Sequence, residues 1–316
     1  MNFYRLTEPA TEDNFNEEAY LDANPDVAKD VRYGLSLKSG RQHFEVFGKQ
    51  EGRCIRLPIS VIESAKKSKM ERIRSLLKKE APALERPGFF FDCLDEATKE
   101  RYPISRTEAV SSNPYDRNVQ ALIDETTDGL ILDCGSGRRD EYYDHIVNLE
   151  VVAYDTTDVL AVGEQLPFID AAFDAVLSLS VLEHVKDPFQ CAREIARVLK
   201  PGGRLICSVP FLQPYHGYPH HYYNMTHQGL MNLFAGLLNC DKLEIDERSL
   251  PIWSLTWILR NWADGLQGEA KKEFLQLKVE DLLGHPDQYL EKSYVTGLSD
   301  EKNRELAYAT VIFAHK

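Results

Sequence analysis

The chain has 316 residues, 43% of them hydrophobic, and a formal net charge of -13. That is enough apolar material for one large soluble domain plus an appendage, and the acidic balance excludes a general nucleic-acid binder, whose phosphate contacts need a basic surface. No apolar run of about 18 residues reads as a membrane span, and polar, acidic residues 1–16 lack the basic-then-apolar order of a secretory signal, so the expectation is a cytoplasmic protein.

Residues 15–56 read as a compact unit of two or three short helices. Asn24 before Pro25 is an N-cap and first-turn pair, and Gly34 and Gly48 suit helix ends. From 59 to 80, Ile62, Ala65, Met70, Ile73, Leu76 and Leu77 recur near a helical period, which predicts a connecting helix. Its many basic residues, Lys66 and Lys69 among them, read as a solvated face, with contact to an anionic membrane surface left open. Ala81-Pro82 and Arg86-Pro87-Gly88 break this helix. Residues 89–128, including Tyr102-Pro103 and Asn113-Pro114-Tyr115, form a lead-in that ends in a helix over 118–125.

The next stretch, Leu130-Ile131-Leu132-Asp133-Cys134-Gly135-Ser136-Gly137, is an apolar run ending in a small-residue turn. It predicts a buried first strand and a loop into which a ligand can approach the backbone closely. Strand two follows at 146–152 after a connection with room only for a short or irregular helix. Strand three is expected at 158–162 and strand four at 173–180. Asp187-Pro188 caps a helix with apolar positions Cys191, Ile195, Val198 and Leu199. Pro201-Gly202-Gly203 turns the chain into strand five, 204–209. Residues 210–226 carry His216, His220 and His221 among several tyrosines. A helix over 229–238, a strand over 242–246 and a final strand over 306–313 complete the pattern, interrupted at about 252–295 by a helical insertion containing Trp253, Trp257 and Trp262. The six cysteines are scattered with no C-x-x-C pair, which predicts reduced, mostly buried thiols and no zinc knuckle.

The ordered set D-x-G-x-G at Asp133–Gly137, Leu166-Pro167-Phe168, Phe173-Asp174-Ala175-Val176, Leu182-Glu183-His184 and Leu199-Lys200-Pro201-Gly202-Gly203 resembles the class I S-adenosylmethionine (SAM) dependent methyltransferases. The resemblance extends from about residue 113 to the end. It implies an α/β fold with a doubly wound, Rossmann-like sheet of seven strands, the last antiparallel, and SAM as cofactor. It assigns SAM binding to Asp133, Gly135, Ser136, Gly137, Glu150, Leu166 and Ser178. The family's ribose-binding carboxylate falls on Glu150 if the first crossover is short and on Asp155 if it is ordinary; Glu150 is favoured. Arg139 stands where a third glycine is usual, and Val162 or Gly163 where an adenine-contacting Asp often stands. Residues 1–58 resemble a small helical module found with bacterial glycan-modifying enzymes and read as a docking or structural unit, with 59–112 as linker and lead-in and 113–316 as the methyltransferase domain.

Methyl transfer to a hydroxyl needs alignment of the acceptor and removal of a proton. His216, His221 and His184 are the candidate catalytic residues, with Tyr215, Tyr222 and Tyr223 shaping the pocket. Glu183-His184 and His216/His220 are within reach of a shared metal, but Pro219 prevents a helical His-x-x-x-His arrangement, and no metal is expected. The reading is an O-methyltransferase for a carbohydrate or glycoconjugate intermediate. The alternatives are a small aromatic or lipid-like acceptor, and a non-catalytic SAM-binding or docking protein.

Overall fold

The computed structural model describes residues 2–102, 114–217 and 220–315. Pro103, Asn113 and Pro219, named above, lie outside them. The chain divides into two units, one of Met1–Val181 and Lys186–Ser208, the other of Leu182–Val185 and Val209–Lys316.

Among the described residues, the first unit holds the strands β1 (Phe3–Arg5), β2 (Thr7–Pro9), β3 (Cys54–Arg56), β4 (Leu84–Arg86), β5 (Phe90–Asp92), β6 (Ile131–Cys134), β7 (Glu141–Tyr143), β8 (Ile146–Glu150), β9 (Val159–Leu160), β10 (Phe173–Leu179) and β11 (Leu199–Ser208). Seven form one sheet in the order β11-β10-β6-β8-β9-β5-β4. Every neighbouring pair from β11 to β5 is parallel, and β4 joins β5 antiparallel. Parallel strands covered on both faces must be apolar throughout; β6 accordingly has all four residues buried. The helix Arg117–Glu125, capped by Asp116, packs Val119, Leu122 and Ile123 against Ile131, Ile146, Ala175 and Leu177.

The α/β fold with a seven-stranded sheet and one antiparallel strand is thus as expected, but that strand is β4, upstream of the core. Among the described residues, 242–246 and 306–313 form no strand. Strand propensity reflects packing on a half-buried pleated surface, and here Leu243, Ile245, Val311, Ile312 and Phe313 are exposed. The Pro201-Gly202-Gly203 turn is absorbed into β11 as a break in register opposite Phe173 and Ala175, with Gly202 at φ +78°.

Helices at Glu17–Ala23, Pro25–Tyr33 and Gly40–His43 surround Tyr20, Val27, Phe44 and Ile55, and β2 pairs with β3 beside them. Gly34 ends its helix in the left-handed conformation as expected. Gly48 does not: the helical path runs on to Gly52 at φ +65°. Gly48 is small for another reason, since a Cβ there would lie 2.1 Å from the Tyr20 hydroxyl. Asn24 precedes Pro25 but makes no side-chain cap; its amide donates to the carbonyls of Tyr20 and Cys54.

The connection from β6 to β8, residues 135–145, is shorter than the roughly dozen residues ordinary for parallel strands. It contains β7 in place of a helix, and β7 pairs with β1. The upstream helix Glu63–Arg74 packs beside it: Ile62 and Ala65 meet Tyr142 and Leu6. The solvated-face reading of this helix is therefore corrected at two positions. Lys66 and Lys69 are each 1% exposed. Lys66 Nζ donates to the carbonyls of Asp155 and Thr157, and Lys69 Nζ to Ile146 O and Asp158 Oδ2. The packed face of this helix tolerates two lysines because each ammonium finds fixed oxygen acceptors.

Asp155 ties the N-terminal residues to this crossover. It accepts from Arg56 Nε at 2.9 Å and Arg138 Nη2 at 3.0 Å, while Arg138 also pairs with Asp22. Burial opposes ionisation of Asp155, but the two guanidiniums outweigh it and hold its pKa below the ordinary carboxylate value. Its contribution to stability is present above the unfolded-state pKa of about 3.9 and is lost as pH falls through the lower folded value. Wild type and Asp155→Asn should therefore differ in Tm at pH 7, and the difference should shrink progressively as pH falls below about 3.9. A constant difference across that range would assign the effect to shape instead of charge.

The second unit begins its helices with His227–Phe234, capped by Thr226, and Pro251–Gly265. Trp262 and Phe274 stack at 5.6 Å in a cluster with Ala263, Leu266 and Tyr294. All six cysteines are free thiols, of which Cys93, Cys134 and Cys191 are buried. Among the described residues, no helix is long and apolar enough to cross a membrane.

Candidate functional site

Asp133, the penultimate residue of β6, has no exposed surface. Its Oδ2 accepts from the Tyr115 hydroxyl at 2.7 Å and from Arg139 Nε at 3.0 Å, and the Arg139 guanidinium lies 4.1 Å from the Tyr115 ring centre. Arg139, which replaces the usual third glycine, is thus a buried partner of the loop's own carboxylate. Asp133 Oδ1 has no hydrogen-bond partner among the described residues, and neither has the buried Ser178 Oγ on the adjacent β10. Two orphaned polar atoms on neighbouring strands are costly unless something fills the site.

Gly135 and Gly137 turn the chain at φ +81° and +62°. A Cβ on Gly135 would come within 2.5 Å of Val181, so packing inside the protein, as well as ligand space, demands glycine here. The Gly135 and Ser136 amides donate to Leu149 O, and the Gly137 amide donates to Glu150 Oε2 at 2.8 Å. Glu150, the last residue of β8, also accepts from the Val151 amide at 2.7 Å. Burial raises its pKa, while these two amides oppose the rise. Each carboxylate oxygen keeps a further lone pair. Asp155, the competing residue, has its oxygens engaged by Arg56 and Arg138. Leu166 is fully buried, and its amide and carbonyl are bonded to Glu194 and Arg197. Val162 is buried as well.

In the second unit, Glu183, His184, His216 and His221 come together. Glu183 O accepts from the Tyr222 and Tyr223 amides, which holds the histidine loop against this segment. His184 Nδ1 donates to His220 O at 2.5 Å and His216 Nδ1 to Pro214 O at 2.8 Å. A carbonyl can only accept, so in each ring the proton sits on Nδ1 and Nε2 keeps its lone pair. Burial lowers the pKa of both, favouring the neutral ring. His221 differs. Its Nδ1 accepts from the His216 amide at 3.1 Å, and its Nε2 donates to Asn224 Oδ1 at 2.9 Å, with that amide oriented by its own bond to Gln213 O. Both His221 nitrogens are therefore occupied. Trp257 packs its ring 5.2 Å from His216, a contact that sequence spacing alone did not suggest, while Trp253 is exposed and donates to Glu247 O.

One ligating atom each from Glu183, His184 and His216 lie within 4.8 Å of one another. These three residues are spaced to hold an ion, a grouping the sequence already brought within reach while no metal was expected. The obstacle seen at Pro219 concerned helical spacing, whereas the chain brings two separate loops together. From the sequence, Glu183 is named only beside His184 as a pair within reach of a metal, and not among the catalytic or SAM-binding candidates.

Among proteins of known sequence, the chain is 44% identical over 79 residues to an uncharacterized methyltransferase of Mycobacterium avium, covering 24% of this chain and 30% of that one. It is 32% identical over 109 residues to the ubiquinone/menaquinone biosynthesis C-methyltransferase UbiE of Haemophilus ducreyi, covering 34% and 42%. The chain thus spans less than half the length of these relatives. Among solved structures, YcgJ of Bacillus subtilis aligns at TM-score 0.31 and 15% identity over 58% of this chain and 85% of that one. Phosphoethanolamine N-methyltransferase 2 of Haemonchus contortus, solved with S-adenosyl-L-methionine, aligns at TM-score 0.33 and 16% identity over 56% and 46%. Residues 132–207, which hold the Asp133 turn, Glu150, β10 and the Glu183-His184 pair, match the methyltransferase domain family.

Proposed function

We propose that the protein is a SAM-dependent O-methyltransferase acting on a carbohydrate or glycoconjugate intermediate. The observation that carries the methyltransferase part is the Asp133–Gly137 turn at the carboxyl end of β6. It sits at the edge where open α/β sheets take their ligands, it has unsatisfied buried atoms on Asp133 and Ser178, and it lies within the matched domain. SAM, when bound, supplies an activated methyl group. In this reading Glu150 accepts the ribose hydroxyls, Asp133 and Ser178 offer their free polar atoms, and the Gly135–Gly137 backbone leaves room for close approach. Leu166 acts through packing.

The remaining work is to hold the acceptor and take its hydroxyl proton as the methyl carbon leaves sulfur and bonds to oxygen. His184 and His216, neutral and with Nε2 lone pairs free of their tautomer-fixing bonds, are suited to fix the acceptor oxygen or receive that proton. His221 positions His216 through the backbone bond. His216→Ala should lower kcat by about a hundredfold or more with SAM affinity unchanged. Calorimetry with SAM alongside single-turnover kinetics checks both halves, and wild-type kcat in His216→Ala and in His184→Ala would remove the cluster from the reaction.

The carbohydrate acceptor is supported by the resemblance of residues 1–58 to modules that accompany glycan-modifying enzymes, an argument from association. On the same ground those residues serve docking or structure; the cytoplasm is proposed separately as the site of action. A second reading, an aromatic or lipid-tailed acceptor, is favoured by Trp257 against His216 and by the likeness to a quinone-pathway C-methyltransferase. The deciding experiment measures S-adenosylhomocysteine formation by the purified protein with nucleotide sugars, glycan intermediates and lipid-tailed phenols. Turnover restricted to the phenols would overturn the carbohydrate assignment. SAM binding without turnover on any class would favour a non-catalytic binding protein.

A further inference from the structure

We propose that Glu183, His184 and His216 form a binding site for one divalent transition-metal ion, with coordination positions left open for an oxygen of the acceptor. This deepens the methyltransferase reading and rests on it for the role of the open positions, but the ion site itself stands on its own geometry.

The first observation is the Glu183 carboxylate. It has no exposed surface, and neither oxygen has a hydrogen-bond partner among the described residues. A carboxyl taken out of water without hydrogen bonds is strongly disfavoured as an anion and takes up a proton unless a cation completes it, so a bound ion would satisfy both orphaned oxygens here. His184 Nε2 lies 3.8 Å from its Oε1. The second observation is the state of the two rings. Each has its Nδ1–H bonded to a backbone carbonyl, the outer bond that fixes ring orientation and leaves Nε2 to bind a metal. The two rings approach nearly at right angles, with centres 5.2 Å apart. The third is spacing. Donor atoms on a tetrahedral ion with bonds of about 2.0–2.1 Å stand roughly 3.3–3.4 Å apart. The observed separations, within 4.8 Å, close to this by side-chain rotation.

Two imidazoles and one carboxylate make a borderline ligand set that suits zinc, iron(II), cobalt(II) or manganese(II) better than calcium. Three protein ligands leave at least one position vacant, the pattern of a reactive site as opposed to a structural one. An acceptor hydroxyl bound there would lose its proton more readily, because the ion's charge stabilises the alkoxide. His221 and Asn224 then act as positioning residues, holding the His216 backbone and the loop.

The test uses the full-length protein stripped with a chelator, then titrated with Zn2+ by calorimetry and with Co2+ by visible absorption, with SAM affinity measured on the same samples. The expected result is one ion per chain, with Co2+ bands of a low-coordinate site. Glu183→Gln and His216→Gln should each weaken Zn2+ binding by about a hundredfold or more, beyond the ~10–100-fold cost of losing an outer partner. His285→Ala, outside the cluster, should bind as wild type. Circular dichroism verifies folding, and His184→Gln replaces any variant that does not fold. Failure to bind either ion, or unchanged binding in Glu183→Gln, overturns the proposal. SAM binding without metal binding sinks the ion site alone. Metal binding without SAM binding sinks the methyltransferase reading and leaves the ion site standing.

Discussion

Replacing Lys69 by Met should destabilise the protein by about 3–5 kcal/mol, the usual result of leaving one half of a buried ion pair unpartnered. Lys69 Nζ lies 2.9 Å from Asp158 Oδ2, donates to Ile146 O at 2.6 Å and sits 3.6 Å from the Tyr142 ring centre. Asp158 also accepts from the Tyr142 hydroxyl and the Asn148 amide. The pair therefore joins the upstream helix, the crossover and strand β8. Burial pushes the Lys69 pKa down to about 8 in spite of Asp158. A depressed amine pKa means that the folded state binds fewer protons than the unfolded state between about pH 8 and 10.5, so this group's contribution rises with pH across that window. Denaturant melts of wild type, Lys69→Met, Asp158→Asn and the double variant measure the coupling. A double variant less stable than the sum of the singles would contradict a paired role, since removing both partners should recover part of the loss.

The second large effect concerns the cofactor. Glu150→Ala should weaken SAM by about 2–4 kcal/mol, roughly 30- to 1,000-fold, because hydrogen bonds to a charged acceptor contribute about 1.5–3 kcal/mol each without full additivity. Asp155→Ala should leave SAM affinity within a fewfold of wild type while lowering thermal stability, because its oxygens serve Arg56 and Arg138. Glu150 also receives the Gly137 amide, so its loss loosens the turn. Glu150→Gln, which keeps one acceptor oxygen, should fall between wild type and Ala. Calorimetry on the four proteins reads the ranking, and a larger loss in Asp155→Ala would transfer the ribose role to that residue.

Much of the framework was legible in the sequence because it depends on local chemistry. Strand β6 lies in an apolar run that leads into the Gly135 and Gly137 turn, and Asp187 caps its helix through its own side chain. The histidine group was legible as residue types on two segments, but its division of labour was not. Which ring nitrogen carries the proton depends on carbonyls at Pro214 and His220 that only the folded loop presents.

By itself, the sequence determined the α/β alternation, the order of the motifs and the turn at Asp133, since apolar periodicity, caps and glycine's access to positive φ act over a few residues. The tertiary structure alone decided the burial of Lys66 and Lys69, the pairing of Arg139 with Asp133, the employment of Asp155 by two arginines and the meeting of Glu183 with His184 and His216. In each case a charged or polar side chain takes its role from partners that only the folded chain presents, most of them far away in sequence. Those partners set its desolvation and its pairing, and nothing in the neighbouring residues specifies either one.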